Sequence, residues 1–185
     1  MKMYRYGLAY DENAHRIEFR CRDTYSIPER EYSPKSLTDF LNRTLHLSNI
    51  EQDMIVSLNA KRTPSGFYLS QRGNQVYGLF DLRLVALYSL LSFRDMFVYV
   101  HHNPVACISP SEDDDAMCKK LLAVYESLSA SLVDFLLVNG SSFYSYMESG
   151  RLSYLSDLSD TTNDGAFHPD GIAVTGAFNG NARVA

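Results

Sequence analysis

Three short apolar runs, at residues 54–59, 96–100 and 133–138, limit what this chain can fold into more than any other feature. Each is of strand length and rich in β-branched, aromatic or long aliphatic residues. The first two lack polar alternation, as strands buried on both faces do. Between the runs the spacing turns helical. Ser33-Pro34 puts a capping hydroxyl before a proline at the first helical position. Leu37, Phe40, Leu41 and Leu45 follow at helical intervals. Asp81 caps a second helix, apolar nearly all round and therefore expected to be buried on more than one side. Ser111 opens a third, extending to about residue 130.

Antiparallel pairing is legible in the same way. Residues 4–10 and 16–22 read as strands around an Asp11-Glu12-Asn13 turn, with Ile17, Phe19 and Cys21 on one face. Pro64-Ser65-Gly66 is expected to turn the strand at 54–59 back into 67–69, and Gly73-Asn74 breaks the chain again. Asn139-Gly140 sets a tight hairpin between 133–138 and 143–146. Strands interleaved with helices, together with antiparallel hairpins, predict an α/β fold with a mixed β-sheet.

The chain has 185 residues, 45% of them hydrophobic and 21% charged, enough to bury a core without crosslinks. One domain is expected over residues 1–158, its N-terminal strands lying within 1–32. Residues 159–185 are rich in Gly and Asn and poor in large aliphatics, so a flexible tail is expected there, with His168 as a solvated loop histidine. Lys and Arg number 17 against 22 Asp and Glu, a net charge of -5. That balance makes nucleic acid an unlikely partner, since phosphate-backbone binding needs a basic surface. No apolar run approaches the roughly 18 residues that span a bilayer, and the first residues lack the apolar stretch of a signal peptide. Cys21, Cys107 and Cys118 have neither disulfide nor metal spacing. A cytoplasmic protein with no membrane partner is the expectation.

Chemistry concentrates in His101-His102-Asn103-Pro104 and in Pro110-Ser111-Glu112-Asp113-Asp114. This stretch leaves a buried strand, crosses a loop and enters a helix, where rigid scaffolds present reactive groups. Two adjacent histidines, with an aspartate thirteen residues beyond the first, are candidate zinc ligands. Ser111 followed by Asp114 is also the pattern of a helix N-cap, with acidic residues at the positive end of the dipole. The two readings are compatible, because a ligand can sit in the first turn of a helix. Cys107, in the intervening loop, has nothing nearby to lower its pKa and is read as incidental.

Taken in order, these residues resemble the RadC-like branch of the JAB/JAMM (MPN-type) metallopeptidase family. That branch carries His-Asn-His-Pro-Ser-Gly, a short spacer and Pro-Ser-x-x-Asp. Aligned without a gap, His101 and Pro104 match the first block, and Pro110, Ser111 and Asp114 match the second. Val-Asp-Phe-Leu-Leu-Val at 133–138 is similar to the family's Leu-Asp-His-Ile-Ile-Ile strand, and residues 143–150 are similar to its Tyr-Tyr-Ser-Phe-x-x-x-Gly ending. Leu58-Asn59, Gly66 and the helix from Asp81 fall into the same order upstream. The resemblance covers about Ser33 to Gly150. It implies a JAB/MPN-like mixed β-sheet flanked by helices, a cytidine-deaminase-like architecture. It also implies zinc held by two histidines and an aspartate, with water as the fourth ligand. The matching metal positions are His101, Asn103 and Asp114. Ser111 matches the serine that hydrogen-bonds the tetrahedral intermediate, and Glu51 matches the general acid/base. Glu51 stands eight residues before Asn59, as the family glutamate does before its Leu-Asn. Asp53 and Glu112 are other acids nearby.

The departures cluster at the implied metal site. Asn103 stands where the second zinc histidine belongs, and a neutral carboxamide is a poor zinc ligand beside an imidazole. His102 is the candidate substitute, but neighbouring residues of a strand point to opposite faces. Val105-Ala106 replaces the family's Ser-Gly, and Phe135 replaces the strand histidine. The expectation is therefore a RadC-like JAB domain with an eroded zinc site, binding zinc weakly or not at all and acting as a binding or scaffold module for a protein or peptide partner. One alternative is an active zinc metallopeptidase or isopeptidase in which His101, His102 and Asp114 converge, with Glu51 as base. Another, from the family's traditional label, is a DNA-repair-associated protein.

Overall fold

The computed structural model describes residues 1–45, 51–71, 81–105 and 108–161. The elements are β1 (Lys2–Asp11), β2 (Arg16–Ser26), α1 (Pro34–Leu45), β3 (Gln52–Leu58), β4 (Pro64–Gln71), α2 (Leu82–Ser92), β5 (Met96–His102), α3 (Glu112–Ser127), β6 (Ser131–Asn139), β7 (Ser142–Ser145) and α4 (Arg151–Thr161). One seven-stranded sheet runs in the order β2-β1-β4-β3-β5-β6-β7. It is mixed: β1 with β4 and β5 with β6 are parallel, and the remaining pairs are antiparallel. The three apolar runs become β3, β5 and β6, the middle of the sheet, and every residue of β3 is buried.

Helices cover both faces, which is why these strands carry no polar alternation. One face packs Ile55, Phe97, Tyr99, Phe135 and Leu137 against Val85 and Tyr88 of α2, Leu121 and Tyr125 of α3 and Leu155 of α4. The other packs Met54, Val56, Val98, Val100, Leu136 and Val138 against Leu37 and Leu41 of α1. Ser33 caps α1 as expected, its Oγ accepting the Ser36 amide at 3.3 Å.

Two expectations are corrected. The turn before β4 lies not at residues 64–66 but at 59–63. The Asn59 side-chain oxygen accepts the amides of Lys61 (2.9 Å) and Thr63 (3.0 Å), and Arg62 takes a φ of 56°. Pro64 already pairs with Leu58, at the first strand position, where a missing N–H is tolerated. Gly66 serves close approach instead of turning: a Cβ there would lie 2.8 Å from Cε2 of Tyr6 and 3.2 Å from the Tyr88 hydroxyl. Gly66→Ala is expected to cost about 1–3 kcal/mol, read as a lower urea midpoint with an unchanged slope.

The second correction concerns α2. It buries one stripe, Val85, Tyr88 and Ser89, while Leu90 and Leu91 are 58% and 45% exposed. The sheet meets that stripe through rings of Tyr6, Phe19, Tyr68 and Phe97 around Tyr88, with Leu82 and Leu84 only partly buried beside it.

One buried carboxylate ties distant segments together. Asp134 of β6 is fully buried. Its Oδ2 accepts from the hydroxyls of Tyr32 (2.7 Å) and Ser145 (2.6 Å), and its Oδ1 from the Met147 amide (2.9 Å). Burial raises its pKa, and these donors pull it part of the way back. Helix α4 is held to α3 by Arg151, whose Nε donates to Asp115 at 2.7 Å; the Tyr146 hydroxyl donates to the same carboxylate at 3.0 Å. Helix α4 continues past residue 159, where the tail was expected to begin, to Thr161. Residues 162–185, including His168, lie outside the described residues, as do Gly73-Asn74, Ala106 and Cys107. Among the described residues no helix is long and apolar enough to cross a membrane.

Candidate functional site

Strand β5 ends by carrying His101 to the mouth of a cleft of about 500 Å³, opposite the first turn of α3. Glu51, His101, Asn103, Ser111 and Asp114 all line this cleft. Glu51 and His101, about fifty residues apart in the sequence, are thus brought together by pairing: β3 runs antiparallel to β5, with Asp53 directly opposite His101. Glu51, one step before β3, places its Oε1 3.3 Å from Nε2 of His101. Nδ1 of His101 lies 2.9 Å from Oδ1 of Asp53, and the Tyr99 hydroxyl donates to that same oxygen at 2.6 Å. Asp53 is fully buried, so the imidazole is fixed from below by a carboxylate that is itself held in place.

Asn103 follows β5. Its amide donates to the Val138 carbonyl at 3.1 Å, and its side-chain oxygen accepts the Val105 amide at 3.1 Å. His102 is 2% exposed and does not line the cleft; the strand's two-residue period turns it toward the opposite face.

Ser111 and Asp114 form a capping box. The Asp114 amide donates to Ser111 Oγ at 3.1 Å, and Asp114 Oδ2 accepts from the Ser111 amide (2.9 Å) and hydroxyl (2.6 Å). Four acidic residues, Glu112 to Asp115, occupy this first turn, where the helix dipole favours negative charge. Among the described residues, no group of three or more His, Cys, Asp or Glu side chains is placed to share one metal ion.

The cleft floor is apolar. Phe135 packs between Tyr99 and Tyr146, each with its ring centroid 4.8 Å away. Ile108, Met117 and Leu137 extend this floor, and Lys120 stands at the wall. Sequence reasoning did not assign Tyr99 or Lys120 to the site, and it named Asp53 only as a neighbouring acid. The signal that finds Asp53 and Tyr99 is strand register, which places 53 opposite 101 and 55 opposite 99.

A mixed α/β sheet covered on both faces, with a histidine at the end of a central strand facing the start of a helix, defines a domain of the JAB/MPN kind. Residues 32–151 match the model of the RadC-like JAB domain, and the chain belongs to that family. It is similar to a UPF0758 protein of Streptococcus gordonii, with 32% identity over 76 residues, 41% of this chain and 34% of that protein. The match therefore spans about a third of the relative's length.

Proposed function

We propose that this chain is a RadC-like JAB domain whose zinc motif no longer builds a zinc site, and that it acts as a binding or scaffold module for a protein or peptide segment. The observation that carries this reading is Asn103. It stands in a ligand position, its carboxamide oxygen is engaged by the Val105 amide, and the adjacent His102 is buried away from the cleft. The remaining donors do not fit zinc as arranged. A ligating imidazole must turn a bare nitrogen to the ion, whereas both nitrogens of His101 face carboxylates. Asp114 is committed to its own helix start. A catalytic zinc takes three protein ligands and keeps an open position, and among the described residues His101 is the one imidazole that lines this cleft. An apolar floor flanked by Lys120 and acidic side chains suits an extended peptide with both apolar and charged groups.

Metal analysis of protein purified without chelator tests the reading. The expected content is far below one zinc per chain; stoichiometric zinc that survives dialysis overturns the proposal. A second reading, an active zinc metallopeptidase or isopeptidase, is favoured by the convergence of Glu51, His101, Ser111 and Asp114 on one cleft. Peptide or isopeptide cleavage lost in both His101→Ala and Asp114→Ala would establish it instead.

A further inference from the structure

At the other end of β3 and β5 lies a separate cavity of about 460 Å³, lined by Lys2, Tyr4, Tyr6, Ser57, Ser65 and Arg94 among others. Seven-residue strands at about 3.3 Å per residue set it roughly 20 Å from the His101 cleft. We propose that this cavity binds a phosphate group, free or as a small phosphate monoester.

Its charge is the first reason. Among the described residues no Asp or Glu lines it, although acids outnumber bases in the chain. Among the described residues, neither Lys2 nor Arg94 takes part in an ion pair, as is true also of Arg22, Arg30, Arg43, Lys119 and Lys120; what sets Lys2 and Arg94 apart is that both line one hollow. Two unneutralised cations facing one hollow repel each other, and an anion between them removes that cost. A guanidinium presents a planar fork to phosphate oxygens and an ammonium adds a point charge.

The second reason is the set of hydroxyls beside them. Tyr6 is half-buried, and neither its hydroxyl nor that of Tyr4 has a hydrogen-bond partner among the described residues. Both are therefore available as donors to an oxyanion. Burial raises the pKa of Tyr6 and of Tyr88 behind it, and Arg94 is the positive charge that acts against that rise on both. Arg94 and Tyr6 line the same hollow, so the guanidinium charge is felt at the phenols. Behind the cavity the wall is rigid: buried Ser57 bonds the Tyr88 hydroxyl at 3.0 Å and the Gly66 carbonyl at 3.2 Å. The rings of Tyr4 and Tyr6 lie 6.5 Å apart at 45°, and Tyr4 leaves an exposed face for a planar group attached to the phosphate.

Two-dimensional NMR of the full chain, titrated with inorganic phosphate or with adenosine monophosphate, tests this. Saturable shifts at residues 2–6 and 94 are expected with at least one probe. Arg94→Ala and Lys2→Gln are each expected to weaken binding about tenfold. Lys120→Gln, which removes the same charge from the other cleft, is expected to leave it unchanged. Equal affinity for both probes assigns free phosphate as the ligand, and tighter binding of the monophosphate assigns a nucleotide-like monoester. The proposal is overturned by the absence of saturable shifts with either probe up to about 10 mM, about 3 kcal/mol of binding. Binding that Lys120→Gln weakens as much as Arg94→Ala also overturns it. The substituted side chains are exposed, and unchanged circular dichroism confirms that each variant folds.

Discussion

Asn103→His is expected to bind zinc at least about 100-fold more tightly than the native chain, above the 10–100-fold that outer partners of a metal site contribute. Residues 101 and 103 line the same cleft as Asp114, so the substitution returns a second imidazole to the side where the first already stands. With the aspartate this makes the three protein ligands of an open zinc site. Competition against a chromogenic chelator measures the gain. Asn103→His combined with Asp114→Ala should lose it, which separates a restored site from a stray surface histidine. An affinity no higher than that of the native chain would mean that residue 103 is not what limits the site.

Asp134→Ala is expected to lose about 3 kcal/mol or more of folding stability. The carboxylate satisfies two hydroxyls and an amide, and stranding a buried donor costs about 1–3 kcal/mol. Tyr32 and Ser145 are 8% and 5% exposed, so water cannot readily replace the lost acceptor. Asp134→Asn keeps an acceptor for Met147 and a polar partner for both hydroxyls, and should lose about 1 kcal/mol. The pair also predicts a pH effect. Because the folded-state pKa of Asp134 is raised, the native protein holds that proton more tightly than the unfolded chain does. Its contribution is fully present below the ordinary carboxyl pKa and declines as pH rises through the raised value. Asp115 acts in the opposite sense: hydrogen bonding to Arg151 lowers its pKa, so its contribution is present above the ordinary value and fades as pH falls through the lowered one. Urea melts of native protein and Asp134→Asn across the acid range isolate the first effect; parallel pH profiles for the two would contradict it.

The sheet was legible because its central strands are short, apolar and bounded by polar residues, and Asn139-Gly140 could hardly be anything but a hairpin. Apolar content alone misled at α2, since composition does not say how many neighbours a helix meets. Pro64-Ser65-Gly66 looks like a turn because local propensity favours one; pairing with β3 and the proximity of Tyr6 decide otherwise, and both are long-range facts. At the site, spacing identified the segment around His101 and Ser111 because a strand end and a helix start are local features. What spacing could not carry was the contact between His101 and Asp53. That depends on the register of two strands whose contacting residues stand 48 apart in the sequence, and nothing local encodes register. Helix α4 went unanticipated at 151–161, although Leu152, Leu155 and Leu158 recur at helical spacing; its tie to Asp115 through Arg151 is a long-range contact that leaves no local mark.

The capping box has a thermodynamic consequence. Helix initiation and ion capture compete for one carboxylate, so an ion drawing Asp114 away would release the amide and hydroxyl of Ser111 and loosen the opening turn of α3. Hydrogen exchange at residues 112–115 would then accelerate as metal loading increased, the reverse of the protection a ligand usually brings. The same serine and aspartate that spell a metalloenzyme in an alignment are sufficient, in this chain, to start a helix, and selection for folding alone is enough to preserve the spelling.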